Sequence, residues 1–391
     1  MPAPGEALEP VLRLALVDGI GPARLSALVA RFGSPEGVLA ASAEALAAVP
    51  GFGRELVKRL RAAATDEGRQ RARDALEALE RAGAVALTPA DPAYPAAFRT
   101  LPDPPYLLFA IGDLGLLSSA GLGVVGTRAP TDYGRRIAIS LSGELARAGL
   151  TIVSGMARGI DSAAHAAALD AGGTTVGVLG HGIDRVYPPE NGKLFARVGE
   201  RGLLITEMAP GDEPNAGNFP RRNRLIAALS LGVLVVEMGE KSGAQHTVTY
   251  ALEQGKDVFA VPGPVGSPQS AGTNQLLKDG ARLVTSAADI LEELRGVGHA
   301  FAAVCGPASP ANPDVPPPPP PDLAPDEAKV FAALTSEPRH VDDLAAAAGL
   351  APSNVLAALL GLELRELVES RCRGSSSGGG RELGGRRPAA A

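Results

Sequence analysis

Two stretches decide the fold: LGVVGTR (residues 122–128) and TIVSGMA (residues 151–157). Each is a short apolar run that stops at a glycine and a small or charged residue, and a helix-like segment follows. The same unit recurs in TTVGVLGHG (174–182), GLLITEM (202–208), GVLVVEM (232–238), DVFAVPG (257–263) and ARLVTS (281–286). Runs that are apolar throughout, instead of at alternate positions, suit strands buried on both faces, as in a parallel sheet covered by helices. Their alternation with helical stretches predicts an α/β fold, a Rossmann-like doubly wound parallel sheet, over residues 83–295. Ligands of such sheets lie beyond the carboxyl ends of the strands, where the glycines and polar residues of these runs fall.

Outside this segment the composition changes. At 391 residues, two to three domains are expected. Residues 1–66 read as a small all-α domain. Within it Gly19-Ile20-Gly21-Pro22 and Pro50-Gly51-Phe52-Gly53 repeat an apolar-Gly-x-Gly turn between helices, which resembles a helix-hairpin-helix (SAM-like) pair. Such turns either offer backbone N–H groups to a phosphate or simply join packed helices, and both readings stay open. Residues 298–325 form a Pro-rich linker in which Pro316 to Pro321 favour a stiff polyproline II spacer. Residues 326–373 read as helix-turn-helix, and the low-complexity end, 374–391, as a disordered tail.

Charge narrows the function classes. With 37 Lys+Arg against 43 Asp+Glu the net charge is −6, so any contact with nucleic acid must come from cations concentrated locally. Residues 120–297 carry 17 basic and 18 acidic side chains, and a binding groove there must be made by placement. Residues 326–370 hold 3 basic against 8 acidic side chains, which favours a protein contact over DNA reading. Cys305 and Cys372 are too few for a disulfide scaffold or a Cys-based zinc site. The chain lacks an apolar run of about 18 residues and a secretory signal, so a cytoplasmic protein without a membrane partner is expected.

Three small-residue loops stand at predicted helix starts. Gly126-Thr127-Arg128 ends the first core strand, and the next helix begins near Thr131 with its free N–H groups toward the same spot. Ser154-Gly155 leads into a helix near Asp161, and Lys241-Ser242-Gly243 precedes a helix near Gln245. Together they predict an anion site; a single such loop would be only a tight turn. The sharpest local signal is FPRRNR (219–224): Phe219, Arg221, Arg222, Asn223 and Arg224 combine a ring with three forked cations. That pairing suits a single strand, whose phosphates take the arginines and whose unpaired bases stack.

In this order the stretches GVVGTRAPTDYG, IVSGMARGIDSAAHAAAL, VGVLGHGIDRVYPPEN, FPRRNRLIAALS, VVEMGEKSGAQHT, ALEQGKDVFAVPG and GTNQLLKDGA resemble the DNA-processing protein A (DprA/Smf) family over about residues 121–289. The resemblance implies a Rossmann-like protein with a winged-helix carboxyl-terminal domain. It implies that the protein binds single-stranded DNA, forms a homodimer, protects incoming DNA and loads RecA recombinase in natural transformation. Carried over by position, Arg128 lies in the family's Gly-Ser/Thr-Arg motif, Phe219, Arg222, Asn223 and Arg224 in its Phe-x-x-Arg-Asn-Arg motif, and Lys241-Ser242-Gly243 in its Lys-Ser-Gly loop. Arg128, Arg222 and Arg224 are then expected to hold phosphates and Phe219 to stack a base, with Ser154 and Gly155 shaping the floor. Some family members carry a lysine before the Phe motif; this chain has Asn215-Ala216-Gly217-Asn218 there.

An alternative of another class is a nucleotide-binding or nucleoside-monophosphate-hydrolysing Rossmann enzyme of the LOG type. That group uses a glutamate within a Pro-Gly-Gly-x-Gly-Thr-x-x-Glu stretch, where this chain reads EKSGAQHT (240–247) without the acid. A Walker A sequence is absent, Ser154-Gly155 lacks the G-x-S-x-G elbow of the α/β-hydrolases, and the five histidines lack metal-ligand spacing. His165, one helical turn after Asp161, reads as a contact along a helix face. The expectation is a non-enzymatic binder with no catalytic residue, metal or cofactor.

Overall fold

The computed structural model describes residues 4–297, 323–333, 339–364, 368–370 and 382–386. They fall into two compact units, divided after residue 306. In the first unit, helices α1 (Pro4–Ala15), α2 (Pro22–Phe32), α3 (Pro35–Ala40), α4 (Ala43–Ala47), α5 (Arg54–Ala63) and α6 (Asp66–Arg81) form the amino-terminal module. Their starts are legible locally: Ser34 and Ser42 accept the N–H groups of Gly37 and Ala45, and proline opens α2 and α3. Leu12, Leu28, Leu60 and Leu79 from this layer share one core with Phe109 and Leu204 of the sheet.

The remainder of the unit is a nine-stranded sheet. In chain order come β1 (Val85–Leu87), α7 (Ala96–Arg99), β2 (Leu108–Gly112), β3 (Gly121–Val125), α8 (Asp132–Arg147), β4 (Thr151–Ser154) and α9 (Ile160–Asp170). Then follow β5 (Thr175–Val178), α10 (Gly192–Arg201), β6 (Leu203–Thr206), α11 (Asn218–Ala228), β7 (Ser230–Val235), α12 (Ala244–Glu253), β8 (Asp257–Ala260), α13 (Ala271–Lys278), β9 (Arg282–Leu283) and α14 (Ala287–Val297). The strand order is β1-β2-β6-β5-β4-β3-β7-β8-β9. β3 through β9 are parallel, and β1 and β2 extend the edge antiparallel. The doubly wound sheet is therefore as expected, with two further strands, β1 and β2, that were not among the apolar runs singled out in the sequence.

Side chains alternate across the strands and supply two cores. Leu122, Val124 and Ile152 face Leu141, Leu145 and Ile290 on one side. Val125, Val153, Val233 and Val235 face Leu225, Ile226 and Val248 on the other. The chain runs from β3 outward through β4, β5 and β6, then returns to place β7 on the opposite side of β3. That reversal opens a crevice at the carboxyl ends of β3 and β7, because the loops there diverge to opposite faces.

The second unit has helices Pro325–Ala333, Val341–Ala348 and Pro352–Leu364 around Val330, Leu344, Val355 and Leu362, with a three-stranded antiparallel sheet. This is the winged-helix arrangement. One expectation is corrected: within the tail read as disordered, Glu382–Arg386 is the central strand, pairing with Arg339–His340 and Val368–Ser370. Its pairing rests on backbone groups contributed by distant segments, which composition does not reveal. The rest of that tail and residues 298–322 of the expected linker lie outside the described residues.

His165 also departs from expectation. Its Nδ1 lies 2.7 Å from Thr175 Oγ1, whose own hydrogen goes to the Ile152 carbonyl at 2.6 Å, so Nδ1–H is the donor. Asp161 turns instead to the N–H groups of Gly155 and Ala157. The imidazole is fully buried with Nε2 unpartnered, and burial pushes its pKa down to about 3. Because the unfolded chain takes this proton near pH 6.5, the contribution is complete above that pH and is lost as pH falls toward 3. Urea titrations of the His165→Gln variant are expected to lack about 2 kcal/mol of the stability loss that the parent shows between pH 7 and pH 5. An unchanged pH dependence would show that another group governs it.

Candidate nucleic-acid interface

The crevice holds an open groove of about 770 Å³. It gathers Gly126, Thr127 and Arg128 after β3, Phe219, Arg222 and Asn223 from α11, and Lys241, Ser242 and Gly243 before α12, along with Asp161 and Tyr187. Nine of the thirteen residues expected from the sequence thus line one cavity. Ser154 lies under it, its hydroxyl donating to the Val124 carbonyl at 2.6 Å. Gly155 lies at the floor because a side chain cannot fit: a Cβ there would come 2.4 Å from Arg222 Nη2. Arg221 and Arg224 do not line the groove.

Helix periodicity explains the divergence of the three arginines. At about 100° per residue, Arg221 and Arg224 share one face of α11, while Arg222 turns toward the face it shares with Phe219. Arg224, 3% exposed, donates to Glu207 Oε2 at 2.6 Å and lies 3.2 Å from Asp103 Oδ2. Arg221 approaches the same Glu207 at 3.4 Å. Burial pushes the Glu207 pKa up, and the charges of Arg224 and Arg221 oppose that rise. Arg224 is therefore a structural cation, and the expectation that it holds phosphate is corrected. Arg222, 4% exposed, donates to the Gly155 carbonyl at 2.6 Å and to that of Val178. Burial lowers its pKa to about 10, opposed by the charge of Asp161. Its guanidinium forms the floor of the groove instead of projecting into it.

Two of the three helix starts are also occupied. Glu237, 2% exposed, accepts the Thr131 N–H at 2.8 Å and its hydroxyl at 2.6 Å, which caps α8 from the end of β7. Asp161 accepts from Gly155 N at 3.1 Å and from Ala157 N at 3.4 Å. These carboxylates take donors that the glycine loops were expected to offer an anion. The cations left facing the groove are Arg128 and Lys241, both exposed and without a carboxylate partner among the described residues.

The aromatic part is larger than the sequence suggested. Phe219 is half-buried; Tyr187 stacks on it with ring centroids 5.7 Å apart and 22° between planes, and the Arg128 guanidinium lies over it at 5.4 Å. His181, 2% exposed, meets Tyr187 edge-on at 6.1 Å. Sequence reasoning missed Tyr187, although VYPPEN placed a ring between a strand-end loop and a pair of prolines. Among the described residues no three His, Cys, Asp or Glu side chains could hold a metal ion, and no helix is long and apolar enough to cross a membrane.

A doubly wound sheet with this groove, an amino-terminal helix-hairpin-helix module and a separate winged-helix unit defines the class. Residues 85–295 match the family model of DNA recombination-mediator protein A, 314–371 that of the DprA winged helix domain, and 11–66 that of a SAM-like helix-hairpin-helix tandem. Protein Smf of Synechocystis is 36% identical over 376 residues, covering 90% of this chain and 94% of that one. The DNA processing protein DprA of Bacillus subtilis is 46% identical over 202 residues, 51% of this chain and 68% of that one. The X-ray structure of DprA from Streptococcus pneumoniae superposes with a TM-score of 0.64 at 31% identity, covering 75% of this chain and 98% of that one. A second structure, of the Helicobacter pylori DNA processing protein A and concerned with its single-stranded DNA binding mode, gives 0.51 at 33% identity, 55% of this chain and 97% of that one. The chain belongs to the DNA recombination-mediator protein A (DprA/Smf) family.

The arginines are expected to separate in stability measurements. Arg224→Ala leaves Glu207 buried without its closest partner and is expected to cost about 3–5 kcal/mol in urea unfolding. Arg128→Ala is expected to leave the midpoint unchanged. Equal effects would remove the distinction between the structural and the exposed cation.

Proposed function

We propose that this chain is a non-enzymatic, cytoplasmic protein that binds and protects single-stranded DNA, acts as a homodimer and loads RecA recombinase onto incoming DNA. One observation carries the binding reading: exposed Arg128 and Lys241 share a groove with the stacked rings of Phe219 and Tyr187. Cations take phosphates of any sequence, while rings take bases only where these are unpaired. Arg222, Asn223, Ser242 and Gly243 shape the groove wall and floor. The Helicobacter pylori relative, whose structure concerns single-stranded DNA binding, supports the same reading. Asp161, the carboxylate that lines the groove, accepts the Gly155 and Ala157 N–H groups, and Glu237 is tied to Thr131, which argues against the hydrolase alternative. In the same reading residues 83–295 hold the strand, residues 298–325 are a spacer, and the acidic residues 326–373 contact protein.

Fluorescence anisotropy with labelled single-stranded and duplex oligonucleotides of one sequence, across a salt series, tests the proposal. Single strands are expected to bind more tightly, with affinity falling as salt rises. Arg128→Ala and Lys241→Ala are each expected to weaken binding about tenfold and to flatten the log–log salt slope by about 0.7, one phosphate contact. Absence of binding, or equal binding to duplex, would overturn the reading. In that case release of base from nucleoside monophosphates is the assay that distinguishes the enzyme class.

A further inference from the structure

Phe219 is the ring that sequence reasoning assigns to a base, but its environment is already filled. The Arg128 guanidinium lies 5.4 Å from its centroid, Tyr187 stacks at 5.7 Å, and the Gly180 backbone approaches so closely that a Cβ there would meet the ring edge at 2.8 Å. Tyr187 differs. It lines the groove, is 38% exposed, and has Phe219 behind it. Beside it, His181 and Pro188 close a pocket of about 60 Å³, room for a water or two and far too small for a base. A base at this end of the groove must therefore lie against an open ring surface and cannot insert beneath it.

Resting on the single-strand reading above, we propose that Tyr187 is the stacking platform for an unpaired base, that Phe219 is its rigid backing, and that Arg128 leaves Phe219 to take the adjacent phosphate. The parts suit these roles. Phe219 stands one turn before Arg222 on α11, and Arg222 is held by two strand-end carbonyls, so the backing ring sits on a fixed support. His181 is held by its Nδ1 contact with the Gly182 carbonyl at 3.0 Å and braces the tyrosine at its side. Arg128 makes no ion pair in the described structure, so only a cation–π contact has to be given up. Tyr187 then reads whether a base is present, whereas Arg128 and Lys241 read the phosphates alone.

The test compares two labelled strands of equal length, one of deoxythymidines and one with abasic sites at every position, at a single salt concentration. The parent protein is expected to prefer the base-bearing strand. Tyr187→Ala is expected to lose roughly tenfold on that strand, within the range for base–aromatic stacking, and to lose nothing on the abasic one. Tyr187→Phe is expected to keep the preference, which separates loss of stacking from loss of fold. A direct readout comes from the five tyrosines and no tryptophan of the chain. Binding of the deoxythymidine strand is expected to quench tyrosine emission in the parent and, by clearly less, in Tyr187→Phe. Equal losses on both strands for Tyr187→Ala, no loss on either, or identical quenching in parent and Tyr187→Phe would each overturn the role of Tyr187 while leaving single-strand binding intact. If the parent binds neither strand, the groove reading fails first and this role with it.

Discussion

A guanidinium buried under the groove organises the site. Removing a cation from water is costly unless it gains partners, and Arg222 gains the carbonyls of Gly155 and Val178, the side-chain oxygen of Asn223 and the neighbouring charge of Asp161. Much follows from this one anchorage. Gly155 can carry no side chain, because Arg222 occupies the space. Asp161 is tied to the Gly155 and Ala157 amides although burial pushes its pKa up. The rotation of α11 about its axis is set as well, which brings Phe219 to the groove and sends Arg221 and Arg224 to Glu207 on the far side.

The electrostatics of the crevice are accordingly unlike a simple phosphate cradle. Glu237 and Asp161 occupy two helix starts, so the backbone donors there stabilise the protein's own loops. Exposed cationic character is confined to Arg128 and Lys241, in a chain that is acidic overall. In the proposed reading, a groove so equipped makes few phosphate contacts, and its affinity draws on the rings as well. The adjacency of Tyr187, Phe219 and Arg128 fits that proposal, since one cluster offers both a ring surface and a cation.

Legibility from sequence differed from element to element for physical reasons. The parallel strands β3 to β8 announce themselves because burial on both faces demands continuous apolar runs, whereas the edge strand β9 is two exposed residues. β2 carries a comparable run, YLLFAIG (106–112), that was not singled out, β1 is only three residues long, and Glu382–Arg386 becomes a strand only through partners more than ten residues away. Within the site, the loops at Gly126–Arg128 and Lys241–Gly243 were readable as strand-end motifs, and Phe219 as part of the ring-and-arginine run FPRRNR. His165 was not, since its hydrogen-bond partner, Thr175, comes from the next strand.

The amino-acid sequence by itself determined that this protein has a doubly wound sheet, where the strand ends fall, and that rings and arginines concentrate there, because burial and turn chemistry are local properties of the chain. Tertiary structure alone decided which of those arginines is free. Adjacent letters in FPRRNR point 100° apart on a helix, and the residues that neutralise them, Asp103, Glu207 and Asp161, arrive from other parts of the chain. It also decided that Tyr187 stands against Phe219, a pairing of residues 32 positions apart that only the packing of α11 beside the β5 loop creates.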